Sequence, residues 1–191
     1  MADTARAGLI RLLRKAYSGE RAAAGAYAGH WRSLRDPAER AAVWRIEQEE
    51  WDHRERVGRM LASLGASPSR RLELQAAVIG GALGPLCHVS GWLLPMLGAA
   101  WLERSNVAEY AAAAALACRS GRPDLVPELA HMSGVEWEHE RYFRERVGRH
   151  RLGTLAMRLL GRPSAGEEAA ARLGSVSAAA PASAAESAAC R

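Results

Sequence analysis

Glu50-Trp51-Asp52-His53 and Glu136-Trp137-Glu138-His139 repeat one pattern: acid, tryptophan, acid, histidine. In each, the first Glu and the His are three residues apart, which on a helix sets carboxylate and imidazole on one face. The Trp turns about 100° away, where it can pack beside a neighbouring helix. Carboxylate and imidazole presented together are donors for a divalent ion such as iron or manganese. A di-iron or di-manganese carboxylate centre takes Glu-x-x-His from each of two helices and a single Glu from each of two others. Those single acids should lie upstream. Glu20 precedes Glu50 by 30 residues, and Glu103 precedes Glu136 by 33. Tyr27 and Tyr110 follow Glu20 and Glu103 by seven residues, two turns along the same face. The chain reads as two copies of Glu, Tyr, then Glu-Trp-acid-His: a repeated helical hairpin.

Four carboxylates also balance two divalent ions in charge, whereas four buried glutamates without metal would be costly or protonated. Gly19 and the small residues 22–26 beside Glu20 suit a tightly packed helix rather than a solvated one. A third Glu-x-x-His, Glu128 with His131, has no Trp and no upstream acid at the right separation. It opens a helix beside Pro127, where an acid suits the positive helix end. His30, His88, His131 and His150 are expected outside the site. Glu109 precedes Glu136 by 27 residues and stays open as an alternative to Glu103 or as a supporting group.

The elements that must carry these residues are helices. Alanine dominates and β-branched residues are scarce, so strands are not expected. Helices are predicted over about 4–34, 37–64 and 124–150, with a short one to about 160. A further helical region over 69–119 is expected to be interrupted near Pro85 and Pro95. Asp36-Pro37, Gly65 and the turn at 121–123 are the boundaries. The predicted fold is all-α: a ferritin-like four-helix bundle of two hairpins over 1–162, followed by a disordered Ala/Ser-rich tail at 163–191.

Between Glu73 and Glu103, residues 74–102 carry no charged side chain. The stretch is long enough for a membrane span, yet five glycines, Pro85 and Pro95 break it. It is read as a bent apolar element lying in a membrane interface between helices 2 and 3. Arg70, Arg71 and Arg104 flank it as candidates for contact with anionic lipid.

The formal net charge is +5, and Lys15 is the only lysine among 26 basic residues. Interspersed arginine of this kind is not the Lys-rich block of a nucleic-acid tail. Three cysteines, Cys87, Cys118 and Cys190, form no C-x-x-C pair, which argues against a zinc ribbon or a disulfide framework and for a reducing compartment. The start of the chain lacks the apolar run of a secretory signal.

In these residues the sequence resembles the demethoxyubiquinone hydroxylase (COQ7) family of ferritin-like di-iron membrane proteins. The likeness is carried over about 8–150 by Gly19-Glu20 with Tyr27 and Gly29, by Gly81-Ala82-Leu83-Gly84 with Gly91 leading into Glu103, and by Tyr110. Six residues after Glu103, where the family carries a histidine, stands Glu109. The resemblance implies O2-dependent hydroxylation of a polyprenylated benzoquinone in ubiquinone biosynthesis, with two iron ions and electrons ultimately from NADH. It implies Glu20, Glu50, His53, Glu103, Glu136 and His139 as ligands, with Glu50 and Glu136 as bridging candidates. Tyr110 becomes a redox or hydrogen-bonding group near the metals. The expected partners are a lipid quinone and a membrane surface, with no nucleic acid; assembly is as a homo-oligomer or a ubiquinone-biosynthesis complex. The expected location is peripheral, on the cytoplasmic face of a bacterial inner membrane. The alternatives are a ferritin- or rubrerythrin-like protein that oxidises iron or scavenges peroxide, and a di-iron hydroxylase of another substrate.

Overall fold

The structure, a computed structural model, describes residues 2–161, and every regular element in them is helical. In chain order these are α1 (Ala2–Ser33), α2 (Pro37–Ser63), α3 (Arg70–Val89), α4 (Leu93–Arg119), a 3-10 turn (Pro123–Leu125), α5 (Val126–Gly148) and α6 (Gly153–Leu160). The all-α class and the order of elements are those the sequence predicts: two long helices, an apolar helix, two more long helices. The segment 163–191, expected to be a disordered tail, lies outside the described residues.

The boundaries have local causes. Asp36 caps α2 by accepting from the Glu39 N–H at 2.9 Å, and Pro37 takes the first helical position, where no N–H is needed. Gly65, at φ +64°, ends α2: its N–H donates to Ala62 O and the next N–H, of Ala66, to Leu61 O. Gly121, at φ +75°, ends α4 with the same pair of bonds, to Cys118 O and Ala117 O. These left-handed positions favour glycine.

Of the interruptions expected near Pro85 and Pro95, the first is absent and the second falls just ahead of Pro95. Pro85 sits inside α3, and the carbonyl it cannot serve belongs to Gly81, an exposed residue, so the lost bond is not buried. Pro95 falls in the first turn of α4, where its missing N–H costs nothing. The break comes between them at Gly91, whose φ is +76°.

The described chain gathers into two compact units. The first runs from Leu13 to Pro95 and holds most of α1 with α2 and α3. The second holds the chain up to Leu12 and from Met96 onward.

In the first unit α3 lies against α1 through glycine. Gly25 and Gly29 of α1 meet Gly80 and Gly84 of α3; a Cβ on Gly29 would overlap the Gly84 backbone, and one on Gly25 would lie 3.1 Å from the Gly80 Cα. The pairs share the four-residue spacing that lets two helix backbones approach closely. A polar knot holds the start of α3: Glu73 accepts from Arg54 Nη2 of α2 at 2.6 Å, Arg21 Nη1 at 3.2 Å and Ser18 Oγ at 2.8 Å. Beyond its other end, Trp92 Nε1 donates to Glu39 Oε2 at 2.8 Å.

The opposite side of α3 is open. Leu74, Val78, Ile79, Leu83, Leu86 and Val89 are exposed, and only 17% of its apolar window is buried. By length and composition α3 could cross a membrane. Tied at both ends to its own unit, with one apolar face uncovered, it has the features of an element lying along a membrane interface.

The second unit packs around Val107, Leu129, Met132 and Phe143, all fully buried. Ser133 Oγ of α5 donates to Val107 O of α4 at 3.0 Å. The first turns of α1 belong here: a Cβ on Gly8 would lie 3.3 Å from Leu116 of α4.

Candidate metal centre

Each unit holds one copy of the acid and imidazole pattern. In the first, Glu20 of α1 and Glu50 and His53 of α2 are buried, and one ligand atom from each lies within 4.8 Å of the other two. In the second, Glu103 of α4 and Glu136 and His139 of α5 do the same. All six sequence-predicted ligands thus fall in two buried trios of two carboxylates and one imidazole.

Helical geometry explains the placement. On α1 the stripe carrying Glu20 and Tyr27 is turned away from the stripe of Ala22, Gly25 and Gly29 that receives α3. The two small-residue pairs therefore seat the apolar helix without occupying the ligand face. Tyr27 and Tyr110 are both buried, two turns or about 10 Å along the axis from Glu20 and Glu103. Glu109 is half-buried and joins neither group, which leaves Glu103 as the α4 acid of the trio.

His139 Nδ1 faces Glu136 Oε2 at 3.6 Å and Glu103 Oε2 at 4.0 Å. Asn106, one turn after Glu103 on α4, donates from Nδ2 to Glu103 Oε2 at 3.3 Å and fixes the carboxylate's rotation.

The trios fit a metal. Ligand bonds of about 2.1 Å set donors up to about 4.2 Å apart around one ion, close to the spread seen here. Two anionic carboxylates buried side by side repel each other and lack hydration, and a divalent cation between them removes both penalties. Oxygen with a single imidazole suits iron or manganese better than a thiolate-seeking metal.

The remaining histidines stand apart, as expected. None of His30, His88, His131 or His150 joins either group. His30 is nonetheless buried on α1, its ring 6.3 Å from that of Tyr27, and burial pushes its imidazole down to about 4. Glu128 lies in the first turn of α5, where the helix dipole accounts for it. The matched tryptophans do not behave alike: Trp137 is half-buried, but Trp51 is 43% exposed and does not pack as predicted.

Sequence reasoning missed the polar groups that adjoin the trio residues along their helices. Glu140 follows His139 and is wholly buried, paired with both Arg144 Nη2 and Arg144 Nε. Arg54 follows His53 and holds Glu73. The spacing of Glu140 to Arg144, and of Glu103 to Asn106, is a single helical turn and was available as a signal. Arg104, a candidate for lipid contact, donates from Nη1 to Leu160 O at 2.8 Å.

No family model, no curated protein and no solved structure matches the chain.

Proposed function

We propose that the two trios close into one dinuclear carboxylate centre, and that the protein is an O2-dependent di-iron monooxygenase. Its proposed substrate is a polyprenylated benzoquinone, hydroxylated on the ring as in ubiquinone biosynthesis. The observation that carries this reading is the pair of buried Glu, Glu, His trios, one from each copy of the repeat. Each trio neutralises one divalent ion; together, four carboxylates neutralise two. Glu20 and His53 would hold one ion, Glu103 and His139 the other, and Glu50 and Glu136 are the bridging candidates.

When bound, the two irons supply O2 activation and oxygen transfer. The chain does the rest. Buried ligand helices keep bulk water from the donor atoms. Asn106 sets the orientation of Glu103. Tyr110, buried on the ligand side of α4, is the candidate redox or hydrogen-bonding group. The exposed apolar face of α3 supports a substrate drawn from lipid, with the protein resting on the membrane surface. Electrons come ultimately from NADH.

Two measurements test this. Protein purified anaerobically should carry about two irons per chain, and Glu136→Ala should lose them. A strain lacking the gene should accumulate a demethoxy quinone precursor, rescued by the wild type and not by Glu136→Ala. Normal ubiquinone in that strain rejects the substrate; iron-free protein rejects the centre.

A further inference from the structure

The second unit carries an uncovered apolar surface of its own. Helix α6 has apolar residues over more than half its circumference, with only Thr154 and Arg158 polar. One side of that arc, bearing Gly153, Ala156 and Leu160, is buried. The other side is not: Leu152 is 49%, Leu155 57% and Leu159 72% exposed. Trp101, one turn before Arg104 on α4, is 67% exposed. A helix apolar beyond its covered stripe marks a surface made for something other than water.

The helix is held with those leucines outward. Arg104 Nη1 of α4 donates to Leu160 O at 2.8 Å, and Arg144 Nη1 of α5 to Gly161 O at 2.9 Å. At its start, Gly153 N donates to His150 O at 2.6 Å, and a Cβ on Gly153 would sit 2.5 Å from Gly148 O. Both ends are pinned, so the leucine face is a fixed feature.

The flanking charge is of one sign. Residues 146–161 contain four arginines and no acid. Of the four, Arg149, Arg151 and Arg158 are exposed.

We infer that α6, with Trp101 and these arginines, is a docking surface for an anionic lipid bilayer. Leucines entering the acyl boundary, arginines at the phosphate level and a tryptophan at the interface are the chemistry of a helix lying in a membrane surface. A second copy of the chain is a poor fit, because a two-fold contact would set one arginine rim against another. An eight-residue helix, about 12 Å long, is also short of the roughly 800 Å² per partner of a stable protein interface. The inference deepens the membrane part of the proposed function but rests on residues of the second unit alone.

The test is co-sedimentation of full-length, iron-loaded protein with vesicles of phosphatidylcholine, alone or mixed with phosphatidylglycerol. Three variants are compared with the wild type: Leu155→Ser with Leu159→Ser; Arg149→Gln with Arg151→Gln and Arg158→Gln; and Val78→Ser with Ile79→Ser on α3. Iron content checks that each is folded. The leucine variant should bind mixed vesicles at least about tenfold more weakly. The arginine variant should lose the preference for phosphatidylglycerol and its salt sensitivity. If both bind like the wild type, or the leucine variant instead loses a vesicle-free oligomer, the inference is wrong. Unchanged binding by the α3 variant overturns only the role given to α3, and the quinone profile scores the chemistry separately.

Discussion

The residue after the histidine differs in sign between the two copies of the repeat: a half-buried arginine in one, a wholly buried glutamate in the other. After His53 comes Arg54; after His139 comes Glu140. Arg54 reaches out of its own helix to Glu73 at the base of α3, and lies 3.7 Å over the Tyr17 ring. Glu140 is matched within α5 by Arg144, which goes on to hold the carbonyl of Gly161 beyond α6. Donor chemistry is repeated, while its support is inverted in charge and in reach. Each candidate ligand helix is thus tied to an element with an uncovered apolar face: α2 to α3 by the Arg54–Glu73 ion pair, and α5 to α6 by the Arg144 hydrogen bond to Gly161 O.

The largest effect should come from breaking those two ties. Arg144→Met leaves the Glu140 carboxylate, 0% exposed, without its cation. The expected loss is about 3–5 kcal/mol in urea unfolding. Glu73→Gln should be milder, about 1–2 kcal/mol, because Arg54 keeps its bond to Tyr17 O at 2.6 Å and its place over the ring. Equal losses would mean that the two supports are equivalent after all.

Acid should separate the units next. His30, in the first unit, is held at about 4 against an ordinary 6.5 by burial. Its unfolded form therefore binds the proton more readily, so stability falls as pH drops from 6.5 toward 4, by up to about 3 kcal/mol. Burial raises Glu73, but hydrogen bonds from Arg54 and Ser18 and the Arg54 charge outweigh it and leave it below its usual range. A depressed carboxylate contributes stability above its ordinary 4.5, lost as pH falls through the folded value. In the second unit the Arg122–Asp124 pair is also shifted, but Asp124 is exposed and screened. His30→Gln should therefore flatten the dependence of the urea midpoint between pH 6.5 and 4. An unchanged slope would remove His30 as the acid-sensitive group.

What could be read in advance, and what could not, follows from range. The six clustered Glu and His residues lie three residues or one hairpin apart, so spacing pointed to them. The ends of α2 and α4 were legible because Asp36-Pro37, Gly65 and Gly121 act within a few residues. Pro85 misled because a proline breaks a helix only where the lost bond matters, and facing solvent beside Gly81 it does not. Trp51 misled because periodicity says which way a side chain points, not whether anything is there to meet it. The glycine contact of α1 with α3 was hidden for the same reason: Gly25, Gly29, Gly80 and Gly84 are visible as residues, but their pairing needs the chain folded.

Asn106 separates the two trios at the carboxylate itself. Its counterpart three residues after Glu20 is Ala23, whose side chain cannot donate. Asn106→Ala should weaken iron binding about tenfold, the usual effect of losing a group that orients a ligand. Chelator competition reads it, and one of two ions should leave more easily than the other. Uniform weakening of both ions would show that Glu103 is not tied to one position.

The smallest effect contrasts the two faces of α3. Gly80 and Gly84 face α1 with no room for a side chain, whereas a Cβ on Gly81 would meet nothing within 4 Å. Gly81 is also interior to the helix and exposed. Alanine lowers the backbone entropy of the unfolded chain and favours the helix, so Gly81→Ala should stabilise the protein by about 0.5–1 kcal/mol. Urea unfolding without lipid measures it. A loss of stability would mean that this face is covered in solution, and the case for leaving it open to a membrane would go with it.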